Sequence, residues 1–254
     1  MLALGQGYGI DAVAPGGQRV LAASTVVLPY GADFAWLSMV LVRPEFRRLG
    51  YATVLLRHAV AALQAQGRSA VLDATPAGHA VYLQEGFADT WGFARYQRDA
   101  LLAAAGQAAV QHPTRPLRDV DWPAIAALDE PAFGASRLPL LKLLAQREPQ
   151  AAQVFEHAGR ITGFVLARDG RHATQIGPLV AADESAATAL LTAALAAITG
   201  PVYVDVLDQR SNLRAHLQAL GFVLQRPFMR MVHGREVAPG DAGAVMLVAG
   251  PELG

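Results

Sequence analysis

An α/β (α+β) protein built as two copies of one plan is what this 254-residue sequence predicts, on three observations. First, amphipathic helical stripes alternate with short runs of strand-forming residues. Second, the stripe Ala52, Leu55, Leu56, Ala59, Val60 and Leu63 recurs at Ala187, Leu190, Leu191, Ala194, Leu195 and Ile198. Third, the 135 positions separating Leu55 from Leu190 also carry Val71-Leu72-Asp73 onto Val206-Leu207-Asp208 and Gly86-Phe87 onto Gly221-Phe222. Phe93 and Arg95 map onto Phe228 and Arg230 in the same register. Several gapless matches at one spacing mark an internal duplication.

Composition narrows the functional classes. Hydrophobic residues make up 53% and charged residues 17%, the balance of a folded chain rather than a disordered one. The 21 basic and 21 acidic residues cancel, and no basic run breaks the balance, which argues against a nucleic-acid or membrane-surface partner. With no cysteine there is no disulfide, thiolate metal site or cysteine nucleophile. The first residues lack a basic start and a long apolar core, and no apolar run reaches the roughly 18 residues of a membrane helix. A soluble cytoplasmic protein, monomer or homodimer and without a metal, is expected.

Taken in order, strands are predicted near Tyr8–Val13, Val20–Leu28 and Trp36–Val42, followed by a basic loop and a helix opening at Gly50. Gly67 is that helix's stop. Val71–Gly78 reads as a strand with its exit loop. The alanine-rich stretch 100–109 and His112-Pro113-Thr114-Arg115-Pro116 read as a tether and a stiff extended linker. Beyond it come a short strand from Leu117, helices at Trp122–Leu128 and Leu138–Arg147, a hairpin of Val154–His157 with Ile161–Ala167, and a strand at Gln175–Val180. The partition expected is 1–99, 100–116, 117–233 and a Gly/Pro-rich tail, 234–254, able to add an edge strand or to pack against a sheet. The first copy lacks the opening strand and two helices of the second; an upstream start, a more open groove, or cover from the second copy are all compatible with that.

The loop Val42-Arg43-Pro44-Glu45-Phe46-Arg47-Arg48-Leu49-Gly50-Tyr51-Ala52 carries the chemistry. A strand, a turn and a helix start place unpaired amides and the positive end of a helix dipole beside two arginines, which suits a pyrophosphate. A side chain in place of Gly50 would hold a phosphate off the backbone.

This loop resembles the acyl-CoA pyrophosphate loop, [RQ]-x-x-G-x-[GA], of the GCN5-related N-acetyltransferase (GNAT) superfamily, with Arg47, Gly50 and Ala52 at the defined positions. Tyr82, Gly86 and Phe87 match a second signature, Y-x-x-x-G-F. The resemblance implies two tandem domains, each a mixed, mostly antiparallel twisted sheet flanked by helices, the first truncated at its N-terminus. It implies acetyl-CoA as co-substrate and acetyl transfer to a small-molecule or protein amine. Arg47, Arg48, Leu49, Gly50, Tyr51, Ala52 and Thr53 would hold the diphosphate. Val40, Leu41 and Val42, on a strand that splays from its neighbour, would hold the pantetheine arm, with a freed amide near Met39–Leu41 facing the thioester oxygen. Tyr82 would protonate the leaving thiolate.

The amine's base has no clear owner. Asp73, His79, Glu45 and Glu85 are the ionisable residues near the expected site, Ser38 is placed to hold a water, and a water relay is an equal alternative. Asp73 has Asp208 as its repeat counterpart, which favours a turn or cap role for both. Trp36 and Trp91 read as core or groove wall, and His58 as surface.

In the second copy Arg47, Gly50 and Tyr82 become Ala182, Ser185 and Leu217, and Asp183 and Glu184 stand where they would repel a pyrophosphate. Gly221–Met231 resembles the C-terminal domain of tandem acetyltransferases that lacks the loop, so this copy is expected not to catalyse. Arg226 or Arg230 could touch an acceptor. The alternative for the whole chain is a weak or inactive acyl-CoA sensor or scaffold.

Overall fold

The computed structural model describes residues 4–99 and 113–254. Its strands are β1 (Gln6–Val13), β2 (Arg19–Tyr30), β3 (Phe34–Val42), β4 (Ser69–Ala74), β5 (Ala88–Arg98), β6 (Thr114–Pro116), β7 (Gln153–His157), β8 (Arg160–Arg168), β9 (Thr174–Ala181), β10 (Val202–Leu207), β11 (Val223–His233) and β12 (Val245–Leu247). Its helices are α1 (Tyr51–Gln64), α2 (Pro76–Gln84), α3 (Trp122–Phe133), α4 (Leu138–Arg147), α5 (Glu184–Ala196) and α6 (Ser211–Ala219). The chain is mixed α/β, with mixed sheets flanked by helices.

Two compact units form, and they do not follow a linear partition. One gathers the described residues through Trp91 with Phe228–Ala238 and Pro251–Gly254; the other takes those of Gly92–Pro227 and Pro239–Gly250. The chain passes between units inside β5 and inside β11, so the last strand of each copy is divided. Of the expected tether and linker, residues 100–112 lie outside the described residues. Thr114–Pro116 is a strand, Thr114 pairing with Phe155 and Pro116 with Gln153, because an extended Pro-flanked segment is free to edge a sheet.

In the first unit β1, β2 and β3 are antiparallel neighbours, β3 runs parallel to β4, and β4 pairs antiparallel with the second half of β11. The predicted stripe of α1 is buried: Leu56, Ala59, Val60 and Leu63 pack on Val27, Ala35, Leu37, Leu72, Phe87 and Met231. On the other face Trp36 donates its indole N–H to the Pro251 carbonyl at 3.1 Å, and the Tyr30 hydroxyl donates to the Leu253 carbonyl at 2.8 Å. Chain-end carbonyls thus satisfy two aromatic donors that burial would otherwise strand.

In the second unit the sheet contains the second half of β5, then β10, β12, β9, β8, β7 and β6, with β10 also parallel to β9. Helix α5 supplies Ala187, Leu190, Leu191 and Ala194 to its core, while α3 and α4 pack on β8. Helix α3 runs past its expected end at Leu128, because Pro131 sits in the last turn where only one backbone bond is lost, and Gly134 closes it in the left-handed region at φ 95°. The tail adds β12 inside the sheet, between β9 and β10, rather than at an edge.

Strand register refines the duplication. Arg230 faces Asp73 across β11 and β4, and Arg95 faces Asp205 across β5 and β10. Tyr203-Val204-Asp205, not Val206-Leu207-Asp208, therefore stands where Val71-Leu72-Asp73 stands. The helices keep the 135 spacing and the strand does not, because β10 is followed by a longer turn before α6 than β4 is before α2.

Candidate active site

Strand β3 is irregular where the site begins. Ser24 pairs with Leu41 and Val26 with Ser38, leaving Met39 and Val40 opposite Thr25 alone. This is a β-bulge, and Met39 takes φ 52°, a conformation a methionine rarely adopts. The bulge is held by its neighbours: Thr25 Oγ1 donates to the Ser38 carbonyl and Ser24 Oγ to the Met39 carbonyl, each at 3.2 Å. Ser38 Oγ is buried and has no hydrogen-bond partner among the described residues.

The parallel ladder between β3 and β4 covers only Phe34–Trp36 and Ser69–Val71. Beyond Trp36 the two strands separate, and among the described residues no strand of the unit enters the gap. Val40, Leu41 and Val42 lie on this splayed stretch, next to the bulge.

The loop follows directly. The Arg43 amide donates to the Ala22 carbonyl, Pro44–Phe46 forms a short 3-10 turn with Phe46 as its buried anchor, and the chain reverses through Arg48 at φ 63° and Gly50 at φ 79°. A Cβ on Gly50 would meet nothing within 4 Å, so the turn opens onto free space, and glycine is needed for its φ. Helix α1 starts with no side-chain cap, and its first backbone bond is Val54 N–H to the Gly50 carbonyl, 3.0 Å. Among the described residues, the amides of Arg48, Leu49, Gly50, Tyr51, Ala52 and Thr53 find no acceptor. Neither Arg47 nor Arg48 has an acidic partner among the described residues, and both side chains are exposed. A row of six unsatisfied donors at the positive end of a helix, flanked by two free cations, has the chemistry of a diphosphate cradle.

Tyr82 lies on α2. Its ring packs on Phe87, 5.9 Å between centroids, and lies so close over Gly78 that a Cβ there would stand 2.9 Å from it. The hydroxyl has no protein partner among the described residues, and burial pushes the phenol above its ordinary value. Tyr82 is thus a neutral O–H donor at neutral pH. His79 stands on α2 one turn before Tyr82, with Nε2 2.8 Å from Asp89 Oδ1.

The other acids are already engaged. Asp73 accepts two hydrogen bonds from Arg230, at 2.9 and 3.1 Å, and neither a turn nor a cap role applies. Arg230 is buried with it, its guanidinium 4.4 Å from the Trp36 ring and 4.0 Å from the Trp91 ring, which removes it as an acceptor contact. Arg57 holds the Glu85 carboxyl below the usual carboxylate range through bonds of 2.6 and 3.0 Å. Glu45 is paired with Arg43 at 2.8 Å. His58, read as surface, is exposed against the Tyr8 ring.

The equivalent helix start in the second unit is closed. Asp183 caps α5, its Oδ1 accepting from the Ala186 amide at 2.8 Å, and Glu184 sits in the first turn.

Comparison with known proteins identifies the family. Residues 7–87 match the model of the acetyltransferase (GNAT) family, and residues 125–246 match that of an acetyltransferase (GNAT) domain. The chain belongs to the GNAT superfamily, as a tandem member. It is 23% identical over 187 residues to the uncharacterized N-acetyltransferase YitH of Bacillus subtilis (strain 168), covering 73% of this chain and 65% of the relative. The chain thus spans a little under two thirds of that relative's length. Among solved structures, a candidate acetyltransferase from Pyrococcus horikoshii superposes with a TM-score of 0.74 at 19% identity, over 92% of this chain and 76% of the other. A tandem GNAT protein from the clavulanic acid biosynthesis pathway gives 0.55 at 18% identity, over 91% and 84%. Identities this low speak for the fold and not for a substrate.

Sequence reasoning missed the buried Asp73–Arg230 pair, whose members are 157 positions apart. It also missed the pairing of His79 with Asp89. The equal spacing of Arg95 and Arg230 was the available signal for the first.

Proposed function

We propose that the first unit transfers an acetyl group from acetyl-CoA directly to an amine. The uncapped start of α1, with its free amides from Arg48 to Thr53, carries this reading. The diphosphate would sit on those amides beside Arg47 and Arg48, and the pantetheine arm would pair with the splayed stretch Val40–Val42 as an added strand. That path leads the thioester to the bulge, where an amide freed between Met39 and Leu41 serves as the oxyanion donor; such a donor is worth about 10²–10³ in rate.

The amine nitrogen attacks the thioester carbon, the C–S bond breaks, and the departing sulfur takes the proton of Tyr82. A phenol kept neutral by burial suits that role. The proton lost by the amine goes to His79, held by Asp89 on the same helical face as Tyr82, or to water. Asp73 and Glu85 are excluded as bases by their arginine partners. The acceptor is an amine of a small molecule or a protein. The second unit, with its helix start closed by Asp183, takes no part in donor binding.

Release of coenzyme A thiol over a panel of primary amines, wild type against Tyr82→Phe, tests this reading. Amine-dependent release that collapses in the variant is expected. Tight acetyl-CoA binding with no release on any amine would favour an acyl-CoA sensor instead.

A further inference from the structure

The short parallel ladder that opens the gap in the first unit has its equal in the second, where Thr174–Ile176 runs beside Val202–Val204. In both units the two strands then diverge. In the first, Met39 and Leu41 beside the gap remain 41% and 54% exposed. In the second, β12 fills it. Val245 lies opposite Val180 and Leu247 opposite Leu179 on the β9 side; Leu247 lies opposite Val206 on the β10 side. The Val248 amide donates to the Asp205 carbonyl at 3.1 Å. Every residue from Val245 to Ala249 is buried.

The insertion is built in at several points. Gly177 of β9 faces the segment, and a Cβ there would come within 2.1 Å of the Val248 carbonyl oxygen, so only glycine lets the strand seat. Ahead of the strand, the Arg210 guanidinium donates to the carbonyls of Val245, Ala242 and Gly243, and Gln209 Nε2 donates to Ala242 at 2.9 Å. The Asp241 amide donates to the Pro131 carbonyl at the end of α3.

We infer that the second unit retains the cleft in which its fold would take an extended, amide-bearing pantetheine arm, and that this cleft is now a receptor for an extended apolar peptide whose ligand is the chain's own segment 245–248. The peptide bonds to both diverging edges, as an added strand does. Together with Asp183 on the start of α5, it closes both halves of the ancestral donor site, the arm cleft and the diphosphate cradle, with groups of the same chain. The inference rests on the proposed function only for the comparison of the two clefts.

The test combines exchange, calorimetry and a peptide. In the wild-type chain, the amides of 246–248 should exchange with deuterium as slowly as those of β10; exchange within minutes would overturn the inference. Acetyl-CoA should bind once per chain, and Gly50→Glu should abolish that binding; a second equivalent, or one surviving in Gly50→Glu, would overturn it. Leu247→Asp places a charge at a fully buried position and should release the segment. A fluorescent peptide of sequence Ala-Val-Met-Leu-Val-Ala should then bind Leu247→Asp at least ten times more tightly than wild type. Equal affinity for both, with the variant's circular dichroism intact, would refute a peptide cleft. If the variant does not fold, the exchange arm decides alone. Failure of acetyl-CoA to bind wild type at all would remove the proposed function, while the exchange and peptide arms would still decide this inference.

Discussion

Arg230 donates two hydrogen bonds to Asp73, at 2.9 and 3.1 Å, and so withdraws from chemistry the carboxylate that the sequence places at the end of the site's own strand. The pair is closed off from solvent, with side-chain exposures of 5% and 0%. Two indole rings flank the guanidinium and complete its environment.

A structural role makes Asp73→Asn a stability variant and not a catalytic one. Leaving Arg230 charged, buried and without its acid costs about 3–5 kcal/mol, read from urea denaturation. The turnover number of the folded fraction should change less than about threefold, whereas loss of a general base costs about 10²–10⁴.

Tyr82→Phe should reverse that pattern, leaving stability and acetyl-CoA affinity nearly unchanged and lowering turnover by about 10²–10⁴. Burial raises the phenol, and an acid acts only while protonated, so activity is present below its shifted value and lost as pH rises through it. In the pH profile of turnover, no alkaline loss owed to Tyr82 should fall below about pH 10.

Arg47→Ala and Arg48→Ala should each weaken acetyl-CoA binding by about tenfold, the value of one charge-assisted hydrogen bond. Both losses should shrink as salt screens the exposed cations. Calorimetry at two ionic strengths checks this, and no salt dependence would place the phosphates elsewhere.

In the second unit, Asp121 accepts bonds of 2.7 and 2.9 Å from Arg115 and one of 2.8 Å from the Arg118 amide. Arg115 first, and then the Arg118 amide, hold its carboxyl below the usual range. A lowered folded value means stability present above the unfolded value near ~3.9 and lost as pH falls through the folded one. Asp121→Asn should therefore lower the urea midpoint at pH 7, and the difference from wild type should fade as the pH falls through the lowered folded value.

What the sequence disclosed follows from range. The stripe of α1, the glycine turn at Gly50 and the acidic cap at Asp183 are local patterns, and each lies where the letters place it. The duplication was legible because both helices keep their spacing. The pairing of Arg230 with Asp73 depends on a strand of one copy finishing the sheet of the other, and no local pattern encodes it. The same holds for β12, three residues whose apolar run suits an edge as well as an interior, until register with β9 and β10 decides. The bulge at Met39 had no turn residue to announce it; the neighbouring hydroxyls of Ser24 and Thr25 hold it instead.

Titration of acetyl-CoA into wild type and Gly50→Glu by calorimetry addresses the cradle most directly. At φ 79° the glutamate is strained, and its carboxylate enters the space in front of the free amides. Affinity should fall by at least about 100-fold, close to 2.7 kcal/mol, with the thermal transition of the fold retained. Undiminished binding in the variant would contradict a diphosphate seated between Arg47 and Thr53.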